Sequence, residues 1–429
     1  MQESIIAQNG GLHVSNMAEN LIGSEIIKLA ADINEKIRNG ETIYNFTIGD
    51  FDPSIFPIPS ELNDEIIKAY RENHTNYPAA NGMAELRNSV SDFIRENMGL
   101  DYTPDEVLIS GGSRPLIYGA YVTILDKGDT VIFPVPSWNN NHYCHLTHAS
   151  SILVETKPEN FFMPTAEELK PHLSSATFLA LCSPLNPTGT VFAKNQLEEI
   201  CDLILEENTR RGPNMKPLYL MYDQVYWVLT YGHTKHYDPV SLRPEMRNYT
   251  IYIDGISKSL AATGVRVGWA FGPKRIMDKM RAILSHIGAW APKAEQIATS
   301  RYLNNKTALN TFLSGFKKEV DERLQSFYQG FIQLKDEGHF VDAVIPQAAI
   351  YLTVKIDLKG KKTKEGKNLN SQKVVTQYIL DTAKIAIVPF SAFGASDDSC
   401  WYRLSVGTCR TEQIPSVIES LRKALESLT

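Results

Sequence analysis

The segment S-K-S-L-A-A-T-G-V-R-V-G-W, Ser257 to Trp269, sets Lys258 and Arg266 eight residues apart in a mostly apolar, glycine-containing stretch. A lysine in such a place can act as a nucleophilic amine, and an arginine nearby can pair with a bound anion. Three further stretches carry side chains of comparable promise. S-P-L-N-P-T-G-T (183–190) offers the amide of Asn186; Y-D-Q-V-Y (222–226) offers the carboxylate of Asp223 and the phenol of Tyr226. V-L-I-S-G-G-S-R (107–114) ends a β-rich run in glycines that lead into a helix start, where backbone N–H groups and the helix dipole favour a phosphate. Each also has an ordinary reading: Asn186 between prolines can shape a turn, Asp223 can cap a helix, Lys258 can be a solvated loop cation, and glycines open many helices.

What sets these residues apart is where the surrounding elements put them. From about Asp105 to Phe271 the chain alternates short β-rich runs with turns and longer helical patterns, which indicates an α/β fold. The runs are 107–110, 130–134, 151–155, 178–182, 218–222 and 250–254. They are nearly continuous in apolar residues, as expected of strands buried on both faces of a mostly parallel sheet. In such a sheet ligands bind beyond the carboxyl ends of the strands, and there Asn186, Asp223 and Lys258 all fall. After Trp290 long charged helices precede strand-like segments at 350–356, 385–388 and 402–406 and a closing helix at 412–428, a second, α+β pattern. At 429 residues the chain exceeds the usual single-core size, so we expect a three-layer large domain plus a smaller α+β domain. The expected division is an N-terminal arm and helix at 1–45 belonging to the small domain, a large domain at 46–298, and the small domain at 299–429. The lysine-rich stretch 359–367 reads as a solvated loop.

One ligand asks for a reactive amine, a phosphate cradle, a carboxylate, an amide and hydroxyl pair and an aromatic plate together. It is pyridoxal phosphate: the lysine bonds its aldehyde, an anion keeps its ring nitrogen protonated, donors meet its 3-oxygen and a flat side chain stacks on its ring.

At this point the sequence resembles the class I and II aminotransferases of the fold-type I pyridoxal-phosphate enzymes, from about Ile26 to the C-terminus. The resemblance implies that Lys258 bonds the cofactor, with Ser257 beside it, and that Arg266 pairs with the phosphate. It implies that Asn186 and Tyr226 share the 3-oxygen and that Asp223 faces the ring nitrogen. S-G-G-S-R resembles the family's phosphate loop, implying roles for Gly112, Ser113 and Arg114, and P-S-W-N-N-N-H resembles the stacking motif, with Trp138 over the ring. N-Y-P-A-A-N-G-M-A-E-L-R (76–87) is similar to the segment whose tyrosine, here Tyr77, reaches the phosphate of a neighbouring subunit, which implies a homodimer with shared sites. N-F-T-I-G-D-F-D-P (45–53) and W-Y-R-L-S (401–405) resemble the substrate loops, so that Gly49 and Arg403 hold the α-carboxylate. Two departures stand out. Gly255 stands where many members have a serine that meets the phosphate, and Phe390 replaces the glycine of the family's P-G-x-x-F-G loop, which suggests a narrower loop beside Arg403.

The implied activity is ping-pong transfer of an amino group between an L-amino acid and a 2-oxo acid, with Lys258 as the proton carrier, its pKa lowered by neighbouring cations. Strict dicarboxylate members use a second arginine in a region that here reads S-H-I-G-A-W-A-P-K (285–293), with no arginine. Trp290 and His286 could line an aromatic or small-substrate pocket, Lys293 could meet a distal carboxylate, or Trp290 could simply pack at the subunit interface. The scaffold also supports a β-lyase of the C–S lyase type, and a non-catalytic cofactor-binding sensor is a further alternative. The net charge of −6 argues against nucleic acid. Five cysteines without a C-x-x-C, no basic leader at 1–10 and no run of 18 or more apolar residues lead us to expect a cytoplasmic protein with no membrane span and no metal site.

Overall fold

The computed structural model describes residues 13–21 and 25–429; the remainder of the expected N-terminal arm lies outside the described residues. A two-residue strand, β1 (Tyr44–Asn45), precedes the strands of the main sheet. These are β2 (Val107–Ser110), β3 (Thr130–Val135), β4 (Ser150–Glu155), β5 (Phe178–Cys182), β6 (Tyr219–Asp223), β7 (Thr250–Gly255) and β8 (Gly268–Phe271). Their spatial order is β2-β8-β7-β6-β5-β3-β4. Neighbours from β7 through β4 pair in parallel, while β8 runs antiparallel to both β2 and β7. The six expected strands are present; β8 was not foreseen, because its four residues lie inside the segment that carries Arg266.

Successive side chains of a strand point to opposite faces, and both faces of this sheet are buried. Leu179, Leu181, Leu220 and Tyr222 pack into one core with Leu86, Val90 and Phe93 of the helix Ala84–Met98 and Leu197, Ile200 and Ile204 of the helix Lys194–Arg211. Phe178, Ala180, Met221 and Ile251 pack on the other side with Leu116, Ala120 and Tyr121 of the helix Ser113–Ile124 and Met277, Met280 and Leu284 of the helix Lys274–His286. Helix, sheet and helix make the three layers. They also explain why the strand runs are apolar throughout rather than alternating.

Beyond the main sheet come β9 (Val341–Ala343), β10 (Tyr351–Ile356), β11 (Ile385–Ala386), β12 (Val388–Pro389) and β13 (Trp401–Ser405). The order β12-β13-β10-β9 forms an antiparallel sheet, and β11 pairs separately, in parallel, with β1. The segment expected as one strand at 385–388 is thus split, its two halves pairing with different partners. The 31-residue helix Lys306–Asp336 crosses from one core to the other: Leu309 packs with the main-sheet core, whereas Phe316, Val320, Leu324 and Phe327 pack with Tyr351, Leu404, Ile414 and Leu421. Phe46, Phe51, Val225 and Tyr226 join that second core. The N-terminal loop and the turn after β6 are thereby held against β10 and β13. Among the described residues no helix is long and apolar enough to cross a membrane.

Candidate active site

A cavity of about 620 Å³ opens at the carboxyl ends of the main-sheet strands, where the two cores meet. Its walls include Gly49, Ser113, Arg114, Trp138, Asn186, Asp223, Tyr226, Ser257, Lys258, Arg266 and Arg403. Eleven residues expected from separate motifs thus share one space, brought there by strand ends and short turns. Gly112 lies immediately beside it. Tyr77 is not brought to the cavity of its own chain: it is 81% exposed and meets the Trp290 ring edge-on at 5.3 Å. Nor do His286, Trp290 or Lys293 line the cavity; the Lys293 Nζ donates to Asn76 Oδ1 at 2.7 Å.

Asp223 is the last residue of β6, and its Oδ1 accepts from the Val225 N–H at 3.2 Å. Among the described residues no lysine or arginine pairs with it. Burial raises its pKa to about 6, only partly offset by the Val225 bond. Lys258 lies in the helical turn Ile256–Ser259 directly after β7, and its Nζ donates to the Gly49 carbonyl at 2.6 Å. Burial lowers its pKa to about 8; Asp50 acts in the opposite direction, and Arg403, Arg114 and Arg266 add smaller lowering effects. The expected lowering by neighbouring cations is present but secondary: desolvation is the first cause.

At the end of β2, Gly112 has φ +91°, and a Cβ there would run into the Arg266 guanidinium. That guanidinium donates from Nη1 to the Thr263 carbonyl at 2.7 Å and from Nη2 to the Gly111 carbonyl at 2.9 Å. The cation is thus parked against the glycine turn that opens the helix Ser113–Ile124, whose first N–H groups have no acceptor within the helix. The Arg114 guanidinium lies 5.5 Å from the Trp138 ring centre and has no carboxylate partner among the described residues.

Arg403, in the middle of β13, is 2% exposed. Its Nη2 donates to the Thr47 carbonyl at 2.5 Å and its Nη1 to Asn186 Oδ1 at 3.1 Å, while its buried Nε has no partner among the described residues. Its guanidinium carbon lies 4.8 Å from the Tyr351 ring centre and 4.9 Å from that of Phe393. The plane of the cation is held by two rings while part of its donor set remains uncommitted.

Both departures from the family pattern acquire a physical reason. A Cβ at Gly255 would lie 2.8 Å from the Gly268 Cα and 2.9 Å from the Val267 carbonyl, so the close approach of β8 admits only glycine there. Ser257, two residues on, brings a hydroxyl to the cavity wall. Phe390 does not narrow the cavity. It is buried with Phe162, 5.2 Å between ring centres, and anchors the turn Phe390–Phe393 that sets Phe393 over Arg403.

Sequence reasoning missed Tyr351, Asp50 and Cys182, all in the cavity wall. Tyr351 sits in the apolar run A-A-I-Y-L, where nothing distinguishes it from a core aromatic.

The site therefore offers a partly desolvated amine, a buried acid without a counter-ion, a glycine turn with a parked arginine, and a second arginine held between rings. These fit pyridoxal phosphate: Asp223 lacks only a cation, and the turn at Gly112 is shaped for an anion. Residues 41–421 match the family described as Aminotransferase class I and II, and the chain belongs to that family. Its relatives include an aspartate aminotransferase of Geobacillus stearothermophilus, 29% identical over 87% of this chain and 89% of that one. Another is a bifunctional aspartate aminotransferase and glutamate/aspartate-prephenate aminotransferase of Petunia hybrida, 29% identical over 94% and 81%. The crystal structure of an aspartate aminotransferase from Rhizobium meliloti superposes with a TM-score of 0.88 at 25% identity, covering 98% of this chain and 100% of that one. The protein is accordingly a pyridoxal-phosphate-dependent aminotransferase. The lyase alternative finds no support among these relatives.

Proposed function

We propose that the cavity binds pyridoxal phosphate and an amino acid side by side, and that L-aspartate is an amino donor. The observation that carries the reading is the convergence of Lys258, Asp223 and Arg403 on one cavity, each buried or partly desolvated and none neutralised by an ion pair among the described residues. Bound pyridoxal phosphate supplies the electron sink that stabilises negative charge at the substrate α-carbon. Asp223 holds the ring nitrogen's proton, since a buried carboxylate is relieved by an adjacent cation. Arg266 and the N–H groups after Gly112 take the phosphate, Asn186 and Tyr226 meet the 3-oxygen, and Trp138 covers the ring. Arg403 and Gly49 seat the α-carboxylate. Lys258 would hold the aldehyde end of the cofactor, and its Nζ, once released by a substrate amine, would carry the proton taken from the substrate α-carbon. A pKa near 8 suits an amine that must give and accept a proton near neutrality.

The names of the relatives support a dicarboxylic donor, and Arg114 is the cavity cation left over once Arg266 and Arg403 are assigned. We assign its side chain to a distal carboxylate, a reading supported by its lack of a carboxylate partner among the described residues, while the backbone at Gly112 and Ser113 serves the phosphate. The exposed side chains of Tyr77 and Ile287, with Tyr77 edge-on to the half-buried Trp290, support a homodimer in which Tyr77 completes the opposite site. Five free cysteines support a reducing compartment such as the cytoplasm.

The test is a half-reaction screen: the yellow, cofactor-loaded enzyme is mixed with single amino acids, and loss of the visible band and release of the 2-oxo acid are followed. Aspartate should discharge the band faster than alanine or phenylalanine. No reaction with any amino acid would overturn the activity; faster discharge by phenylalanine or alanine would overturn the donor.

A further inference from the structure

Tyr351 opens β10 beneath the cavity, and its hydroxyl lies 2.5 Å from that of Tyr226. Both side chains are buried, and their rings meet edge to face at 5.5 Å. The face of the Tyr351 ring lies against the Arg403 guanidinium. A Cβ added at Gly49 would come within 2.9 Å of the Tyr351 oxygen and 3.4 Å of Arg403 Nη1, so phenol and guanidinium flank one piece of cavity wall. Tyr351 therefore touches both the phenol that faces the cofactor and the cation that faces the substrate.

Two hydroxyls in contact place one proton between them, so one must donate and the other accept. A Tyr226 that gives its proton to Tyr351 has none left for a cofactor oxygen. A Tyr226 that accepts from Tyr351 keeps its own proton free to point into the cavity, and donates more strongly because linked hydrogen bonds polarise one another.

We propose that Tyr351 is a positioning residue that donates its proton to Tyr226, thereby aiming the Tyr226 proton at the cofactor's 3-oxygen, while its ring fixes the plane of Arg403. The inference rests on the reading of Tyr226 and Arg403 given above. Tyr351→Phe removes the hydroxyl and keeps the ring, so it separates the two roles.

The experiment compares the cofactor-loaded parent with Y351F, Y226F and the double variant, reading the pH midpoint of the visible band, the dissociation constant for the cofactor, and kcat and KM. A donor at the 3-oxygen draws charge from it and makes the neighbouring nitrogen less basic. Y351F should therefore raise the midpoint by about half a unit, in the same direction as Y226F and by less. Cofactor binding should weaken severalfold and kcat should fall roughly tenfold, with KM for the amino acid within about twofold because the ring over Arg403 remains. In the Y226F background the Y351F change should add nothing to the midpoint. A Y351F enzyme that titrates like the parent, or a midpoint shift that persists undiminished without the Tyr226 hydroxyl, would overturn the inference. Should Y351F fold poorly, replacing Tyr351 by a ring-fluorinated tyrosine, a stronger donor of nearly the same shape, should move the midpoint the opposite way; an unmoved midpoint would count against the proposal. A parent that forms no visible band would instead defeat the underlying cofactor reading.

Discussion

Asp223→Asn should abolish transamination and at the same time stabilise the cofactor-free protein. In the unfolded chain this carboxyl has its ordinary pKa of 3.8, and in the folded protein burial raises it to about 6. Between those values the folded state holds a proton that the unfolded state has released, so stability falls as pH rises and the full penalty is present above about pH 6. A difference of roughly two units corresponds to about 3 kcal/mol, an upper bound because part of the side chain faces the water-filled cavity. Asparagine keeps an oxygen for the Val225 N–H and carries no charge, so it removes the penalty. The two cofactor-free proteins are compared by calorimetry at pH 7.5 and pH 5. At pH 7.5 the variant should melt higher by up to roughly 3 °C, taking the usual unfolding entropy per residue for a chain of this length. At pH 5 the advantage should shrink to about half, since the folded carboxyl is by then largely protonated. With pyridoxal phosphate bound the order should narrow or reverse, because the ring nitrogen supplies the missing cation. A variant that melts below the parent at pH 7.5, or an advantage equal at both pH values, would refute the account of Asp223 as a strained, unpaired acid.

Three further outcomes are expected. Lys258→Ala should lose both the lysine-dependent visible band and transamination while still taking up the cofactor noncovalently; a yellow, active variant would exclude Lys258 as the covalent partner. Arg403→Lys should raise KM for amino acids by roughly a hundredfold, because an ammonium cannot reproduce the forked donors held between Tyr351 and Phe393, and steady-state kinetics would read it. Gly112→Ala should weaken the cofactor at least about tenfold in a direct titration, since its φ of +91° disfavours any side chain and the added Cβ displaces the Arg266 guanidinium.

Much of this site was legible because its chemistry is carried by residues in recognisable turns at strand ends. Asn186, Asp223 and Lys258 each follow an apolar run long enough to read as a buried strand. Tyr351 was not legible: an aromatic in A-A-I-Y-L satisfies a core as well as a site, and only its contact with the Tyr226 hydroxyl distinguishes the two. Strand β8 escaped because its G-W-A-F run opens on a glycine with no β-branched residue and follows closely on the turn that carries Arg266, and its antiparallel pairing with β7 is set by packing. Gly255 could be recognised as unusual, but its cause lies in Gly268, thirteen residues away along the chain and adjacent across the sheet.

The sequence by itself determined the alternation of strands and helices, the burial of the main sheet on both faces, and the residue types that line the cavity. These are local properties, written in hydrophobic pattern and turn chemistry. Only the tertiary structure decided how charge behaves among them. The pKa of Lys258 falls mainly through burial, Asp223 has no counter-ion among the described residues, and Arg403 is fixed by Phe393, whose turn is anchored by Phe390. Desolvation and ring stacking depend on what segments far apart in the chain exclude or cover, and no single stretch of sequence specifies that.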